Sequence, residues 1–156
     1  MGDRLWLLDR GTAQEGTNLV AELSLEQLMR SLREDRCLDA EELESIRRYD
    51  LGEIDGVELT FSDATPIADQ LLVFTASAEG DDGHIRGSVV GTLGLNGSVQ
   101  RLRTIDRRWK VEGVHATIDT GVLDFMFVCD QDDPAEPAPL LSATMPVDGR
   151  FEYRER

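Results

Sequence analysis

The sequence predicts an all-β protein made of about three propeller-type blades with about four strands each, the first blade incomplete. Two segments match each other from end to end at an offset of about 50 residues, which is the period of a propeller blade. Short apolar strands and turn dipeptides recur along both segments. The blades run over about residues 4–52, 56–106 and 109–156, and together they form one half-propeller domain, 1–156.

The second and third segments align strand for strand. Phe61–Ala64 aligns with Val111–Val114, and Gly91–Val99 aligns with Ala143–Phe151. The latter two stretches carry Asn96-Gly97 and Asp148-Gly149 in the turn. Asn-Gly and Asp-Gly between apolar runs indicate two-residue type I′ hairpins, because these residues tolerate the positive φ that both central positions require.

An incomplete copy precedes these two segments. Leu5–Leu8, Leu19–Leu23 and Ser45–Tyr49 resemble three of the strands, and nothing before Leu5 supplies the first strand. We therefore expect the chain to open inside a blade, one strand short. In place of a short turn, residues 24–44 carry a helical insertion, because Ser24 and Gln27 have the spacing of a helix-capping box.

The charge of the chain restricts its partners. The formal net charge is -15, so the surface repels phosphate backbones, excludes nucleic acid as the main partner and favours cations.

No apolar run is long enough to span a bilayer, and no signal peptide is evident, so the sequence as written predicts a soluble, cytoplasmic protein and leaves native export open. Lys110 is the only lysine among many arginines, a bias that suggests a bacterial genome rich in GC. Cys129, in an apolar strand, is predicted to be a buried thiol.

Three polar residues lie on the strands that would line the central channel of a propeller. Ser62 and Asp63 interrupt one apolar first strand, and Glu112 interrupts the corresponding strand of the next blade. A carboxylate at such a position must be hydrated, paired or bound to a metal. The pattern predicts either a ligand-binding channel lining or a simple solvated lining.

A second acidic cluster lies in the stretch from Asp130 to Pro134. Asp130, Asp132 and Asp133 offer carboxylate oxygens of the kind that calcium prefers, although the EF-hand pattern is absent. Glu79 and the adjacent Asp81-Asp82 occupy the corresponding place in the preceding segment. The alternative is a solvated, proline-rich loop that only connects two strands.

Three segments resemble an uncharacterised family of bacterial β-propeller proteins: Phe61–Ile67, Leu72–Glu79 and Lys110–Ala116. More distantly they are similar to esterase-like phytases, in which a Glu-Gly pair like Glu112-Gly113 also lies on an inner strand. The resemblance implies that the chain corresponds to the C-terminal half of a propeller about twice its length. It also implies that calcium and phosphate chemistry would carry over at Glu112 and Asp63.

The sequence contains none of the common motifs of phosphate loops, nucleophile elbows or zinc helices. The leading hypothesis is therefore a binding or scaffold module without catalytic residues and without a cofactor, calcium being the one candidate ion. The competing hypothesis is a calcium-dependent phosphoesterase-like hydrolase with Glu112 and Asp63 as metal ligands. Because about three blades cannot close a ring, we expect a homodimer, or a complex with a separate N-terminal half.

Overall fold

The structure is a computed structural model that describes residues 3–11, 18–68, 71–94, 96–146 and 152–155. Strands dominate these residues, which confirms the predicted all-β class. The chain divides into two compact units, Met1–Asp50 and Leu51–Arg156. Among the described residues, no helix has the length and apolar character that crossing a membrane requires.

The first unit contains one antiparallel sheet with the order β1-β2-β3. Its strands are β1 (Arg4–Asp9), β2 (Asn18–Ser24) and β3 (Leu43–Tyr49). The helix α1 (Leu25–Arg33) and a 3-10 turn (Ala40–Glu42) separate β2 from β3, as predicted for the insertion at 24–44. Ser24 caps α1, because its hydroxyl accepts a hydrogen bond from the Gln27 amide at 3.5 Å.

A buried carboxylate stabilises this first sheet. Glu22 on β2 is 5% exposed, and it accepts hydrogen bonds from Arg4 at 2.5 Å and from Ser45 at 3.2 Å. Burial acts to raise the pKa of Glu22, but the hydrogen bonds from Arg4 and Ser45 outweigh it, so the pKa is lowered. Glu22 is therefore a paired structural anion, joined to both neighbouring strands.

The second unit contains a short hairpin and two larger sheets. The hairpin pairs β4 (Glu53–Ile54) with β5 (Val57–Glu58). Both larger sheets are antiparallel, with the strands in chain order. One holds β6 (Thr60–Ala68), β7 (Leu71–Glu79), β8 (Ile85–Gly94) and β9 (Val99–Asp106); the other holds β10 (Val111–Asp119), β11 (Val122–Cys129), β12 (Leu140–Pro146) and β13 (Glu152–Glu155).

The two larger sheets have the same number and order of strands. Each is a four-stranded meander, and the first strands of both, β6 and β10, contact each other. The sheet of the first unit has three strands, as predicted for the incomplete copy. No sheet formed by the described strands closes on itself. Their interpretation as propeller blades stays a prediction.

The tight turns differ from those predicted. Gly94 and Ser98 close the turn around Asn96-Gly97, since the Gly94 amide donates to the Ser98 carbonyl at 3.0 Å. The predicted two-residue hairpin is therefore wrong here, because Gly94 and Ser98 enclose three residues instead of two. The Asn96 side chain accepts from the Ser98 amide at 3.0 Å, which stabilises this wider turn. Asp148-Gly149 lies outside the described residues.

Two other dipeptides form the turns in which both central residues have positive φ. Asp55 and Gly56 have φ values of 52° and 78°, and they join β4 to β5. Thr120 and Gly121 have φ values of 46° and 82°, and they join β10 to β11. Asp55-Gly56 carries the expected sequence signal, whereas a threonine at such a position is uncommon.

The two larger sheets differ in how their faces are covered. In the middle of β7 and β8, consecutive residues are buried, so that both faces of that sheet are covered. In β11, buried and exposed residues alternate, so that only one face of the last sheet is covered. The covered face packs on the neighbouring sheet in a core that includes Val73, Val90 and Phe127.

Candidate functional site

The only lysine of the chain is buried at the start of the last sheet. Lys110 directly precedes β10 and is 8% exposed. Its amide donates to the Gln131 side chain at 2.8 Å, and its carbonyl accepts from the Asp130 amide at 3.0 Å. These bonds hold the backbone of Lys110 against the loop between β11 and β12.

Three carboxylates from three different segments surround the Lys110 ammonium. Nζ lies 2.5 Å from Asp132 in the loop after β11, 3.1 Å from Glu79 at the end of β7, and 3.5 Å from Glu112 on β10. The Glu112 Oε1 atom is buried and forms no hydrogen bond, so the 3.5 Å contact with Lys110 is an ion pair and not a hydrogen bond. Together with the ammonium, these three carboxylates leave a net negative charge.

The protonation of Lys110 follows from these contacts. Burial acts to lower its pKa, but the hydrogen bonds to Asp132 and Glu79 and the charge of Glu112 outweigh burial, and the pKa is raised. Lys110 is therefore a protonated cation at neutral pH. It can neutralise or attract an anion, but it cannot serve as an amine nucleophile, which requires a lowered pKa.

An open pocket of about 170 Å³ adjoins Lys110. Its charged and polar lining comprises Glu79, His84, Lys110, Gln131 and Asp132, and the turn that follows β7 completes the wall. That turn is fixed by the Asp82 side chain, which accepts from the His84 amide at 3.0 Å and from Arg86 at 2.7 Å. The carboxylates that face this pocket make it suited to positively charged groups.

A row of three serines, two of them buried, positions the start of the strand that follows Lys110. Ser62, Ser77 and Ser88 lie on β6, β7 and β8, and their hydroxyls form a chain with distances of 3.2 Å and 2.7 Å. Ser88 donates to the Trp109 carbonyl at 2.8 Å and accepts from the Val111 amide at 3.1 Å. The backbone on both sides of Lys110 is thus tied to the neighbouring sheet.

The predicted channel residues divide between separate tasks in the structure. Ser62 belongs to the serine row, and the Asp63 carboxylate accepts from the Val114 amide at 2.9 Å, which links β6 to β10. Glu112 alone of the three contacts Lys110.

The predicted acidic loop also divides. Asp132 pairs with Lys110. Asp130 accepts from the Asp132 amide at 2.9 Å, and Asp133 accepts from the Ala135 amide at 2.8 Å, so that both stabilise local turns. Within the described ranges, no group of three or more His, Cys, Asp or Glu side chains is arranged to hold a metal ion. A calcium site remains a prediction without an assembled set of ligands.

Sequence reasoning placed Glu112 and Asp132 in two separate candidate sites and missed the residue that joins them. Lys110 and Glu112 are two residues apart in extended chain, a spacing that puts side chains on one face. A lone lysine two residues before a glutamate that interrupts an apolar strand was therefore the available signal.

Comparisons with known proteins identify a family but no activity. A family described as "Family of unknown function (DUF6910)" matches residues 1–134. No curated protein matches the chain. No solved structure matches it.

Proposed function

We propose that this chain, which belongs to the DUF6910 family of unknown function, is a propeller-type binding module whose ligand site is the pocket beside Lys110. The observation that carries the proposal is the buried Lys110 ammonium held between carboxylates of three segments. Buried charge is costly, and an assembly of this kind beside an open pocket is typical of a functional site.

The chemistry of the pocket favours a cationic ligand. Glu79 and Asp132 line it with side chains that are 33% and 61% exposed, so each can turn one oxygen to a ligand while Lys110 holds the other. An amine or guanidinium group would gain charge-assisted hydrogen bonds from both carboxylates. The net charge of -15 raises the local concentration of such cations around the whole chain.

The propeller interpretation is supported by three features of the second unit. The two larger sheets are four-stranded meanders, their first strands contact each other, and one covers a face of the other. Closed propellers contain about four to eight such blades. In this proposal, self-association covers the sheet faces that one chain leaves open, and a separate N-terminal half is the alternative partner.

Calorimetric titration with a polyamine such as spermidine, with arginine and with calcium tests the site. We expect spermidine to bind and to raise the melting temperature, since binding to the folded state alone stabilises it. Asp132→Asn should abolish most of this binding, while Asp119→Asn, the same charge change at the far end of β10, should leave it intact. Binding that Asp132→Asn leaves unchanged, or no binding of any organic cation, would refute the cationic ligand.

A second candidate is the calcium-dependent hydrolase of phosphoesters. The observation in its favour is that Lys110 supplies a positive charge beside Glu112 and Asp132, an arrangement that suits a phosphate group next to a carboxylate-bound metal. We expect at most weak calcium binding, because these carboxylates already pair with Lys110. Submicromolar calcium affinity that Glu112→Ala or Asp132→Ala abolishes, together with calcium-dependent turnover of p-nitrophenyl phosphate, would establish the hydrolase instead.

A further inference from the structure

The uncovered face of the last sheet is the feature that carries this inference. Along β11, residues that point to the core alternate with residues that point outward. The outward residues of β10, β11 and β12 together form a surface that we call the outer face. Met126, Val128 and Leu140 on this face are 44%, 49% and 47% exposed. Val128 and Leu140 are direct cross-strand partners, and Met126 is the next outward residue of β11.

The contrast with the preceding sheet indicates that this face is made for a covering partner. Among the described residues, β6 to β9 contain none of the large hydrophobic side chains that the chain exposes. A sheet with one solvated face normally alternates between core and polar residues, and three neighbouring large apolar side chains depart from that pattern.

We propose that the outer face binds the same face of a second copy of this chain, related by a twofold axis. The inference rests on the proposed function for the expectation of self-association, and it adds the surface and its symmetry. An isologous contact requires a self-complementary surface. The distribution of side chains on the outer face meets that requirement.

The register of the sheet shows the complementarity. Consider a twofold axis that crosses the strands between Asp124 and Met126, so that β11 of one copy lies antiparallel over β11 of the other. Val122 then faces Val128 of the other copy, and Pro146, on the neighbouring strand, faces Leu140. Both apolar pairs occur twice in the dimer.

The polar residues fit the same arrangement. Asp124 faces Met126 of the other copy, and His115, the cross-strand partner of Met126, lies one strand away. The Asp124 carboxylate therefore reaches an imidazole across the interface rather than a second carboxylate. This matters because two chains with a net charge of -15 each repel one another wherever their acidic surfaces meet.

The size of the face predicts a dimer of moderate affinity. Strands about 4.8 Å apart and about seven residues long at about 3.3 Å each give this three-stranded face a size of roughly 14 by 23 Å. That is smaller than the roughly 800 Å² that each partner buries in a standard interface, so we expect dissociation constants of about micromolar order. High salt should strengthen the dimer, because it screens the repulsion between the acidic chains.

Sedimentation equilibrium of the full chain, from about 1 to about 200 µM, tests the inference around the expected dissociation constant. We expect a monomer–dimer equilibrium, and Val128→Arg should raise the dissociation constant by roughly thirtyfold or more, because it places a charge against the apolar Val122 of the other copy twice in the dimer. The variant also lowers the net negative charge, which by itself favours association, so weaker association cannot come from overall repulsion. Leu140→Arg should act in the same direction.

Ile118→Arg is the matched control. Ile118 is 50% exposed and lies on β10 opposite Leu123, on the other face of the same sheet. This variant should keep the dimer, and circular dichroism melting should show that all three variants are folded. A wild-type chain that stays monomeric, a dimer that survives both Val128→Arg and Leu140→Arg, or an assembly larger than a dimer would each overturn the inference. Cation binding at the Lys110 pocket is read separately by calorimetry, so failure of the dimer and failure of the binding site are distinguishable.

Discussion

Replacing Lys110 with methionine is expected to destabilise the chain, because it leaves three carboxylates without their shared cation. Removing one partner of a buried ion pair typically costs about 3–5 kcal/mol of unfolding free energy. The Lys110 side chain is 10% exposed, whereas Glu79, Glu112 and Asp132 are 33%, 31% and 61% exposed. Water can therefore rehydrate the carboxylates in part, and we expect a loss of about 2 kcal/mol.

Urea unfolding at pH 7 measures this loss through the midpoint and the slope of the transition. Lys110→Arg keeps the positive charge, so it should lower the free energy of unfolding less than Lys110→Met does. Arg86→Met is the matched control, because Arg86 forms an ion pair of 2.7 Å with Asp82 in the turn after β7, and both side chains are about a third or more exposed. Such exposed pairs contribute at most about 1 kcal/mol.

A double substitution sharpens the test. Glu112→Gln in the Lys110→Met background removes a carboxylate whose Oε1 atom is buried and no longer compensated, and it should restore part of the lost stability. If Lys110→Met unfolds within about 0.5 kcal/mol of the wild type, the ion pairs add nothing to folding, and the reasoning about a buried, carboxylate-held lysine is refuted.

Three further outcomes follow from the structure. Gly121→Val should lower the unfolding free energy by about 1 kcal/mol or more, since φ at Gly121 is 82° and a β-branched residue resists positive φ; an unchanged urea midpoint would contradict this turn. Ser77→Ala should cost about 1–2 kcal/mol, because the Ser62 and Ser88 hydroxyls lose a buried partner, and a neutral result in the same assay would exclude a structural role for the serine row. Burial raises the pKa of the Cys129 thiol to about 11, so maleimide at pH 7 should label exposed Cys37 and reach Cys129 only after unfolding; equal labelling of both would show that Cys129 is accessible.

The sequence was sufficient for the elements that depend on local pattern. Short apolar runs predicted the strands of both larger sheets, and Ser24 with Gln27 predicted the start of α1. The turn at Asn96-Gly97 was predicted too short, because its closing pair is set by the register of β8 and β9 and not by the dipeptide alone. Thr120-Gly121 carried no strong turn signal, although it adopts the conformation predicted for the other dipeptides.

The candidate site could be predicted only in part, because its contacts are distant in sequence. Glu112 and Asp132 were both singled out, but nothing in the pattern shows that Lys110 joins them with Glu79. The serine row likewise depends on the pairing of three strands, which places Ser77 opposite Ser88. Charge pattern indicates which residues carry chemistry, whereas sheet register decides which of them meet.

Nitrogen-15 NMR of the lysine side chain tests the central claim most directly, because the chain contains one lysine and the spectrum should show one such ammonium signal. The carboxylates raise the pKa of Lys110 above its usual 10.5, so its ammonium should stay protonated past that pH. The stabilisation that it gives is then complete below the pKa of the unfolded chain and is lost as the pH rises through the higher folded pKa. Spermidine should shift the signal in the wild type and not in Asp132→Asn. A pKa at or below 10.5, with no response to any cation, would contradict both the buried ion-pair site and its proposed role in binding.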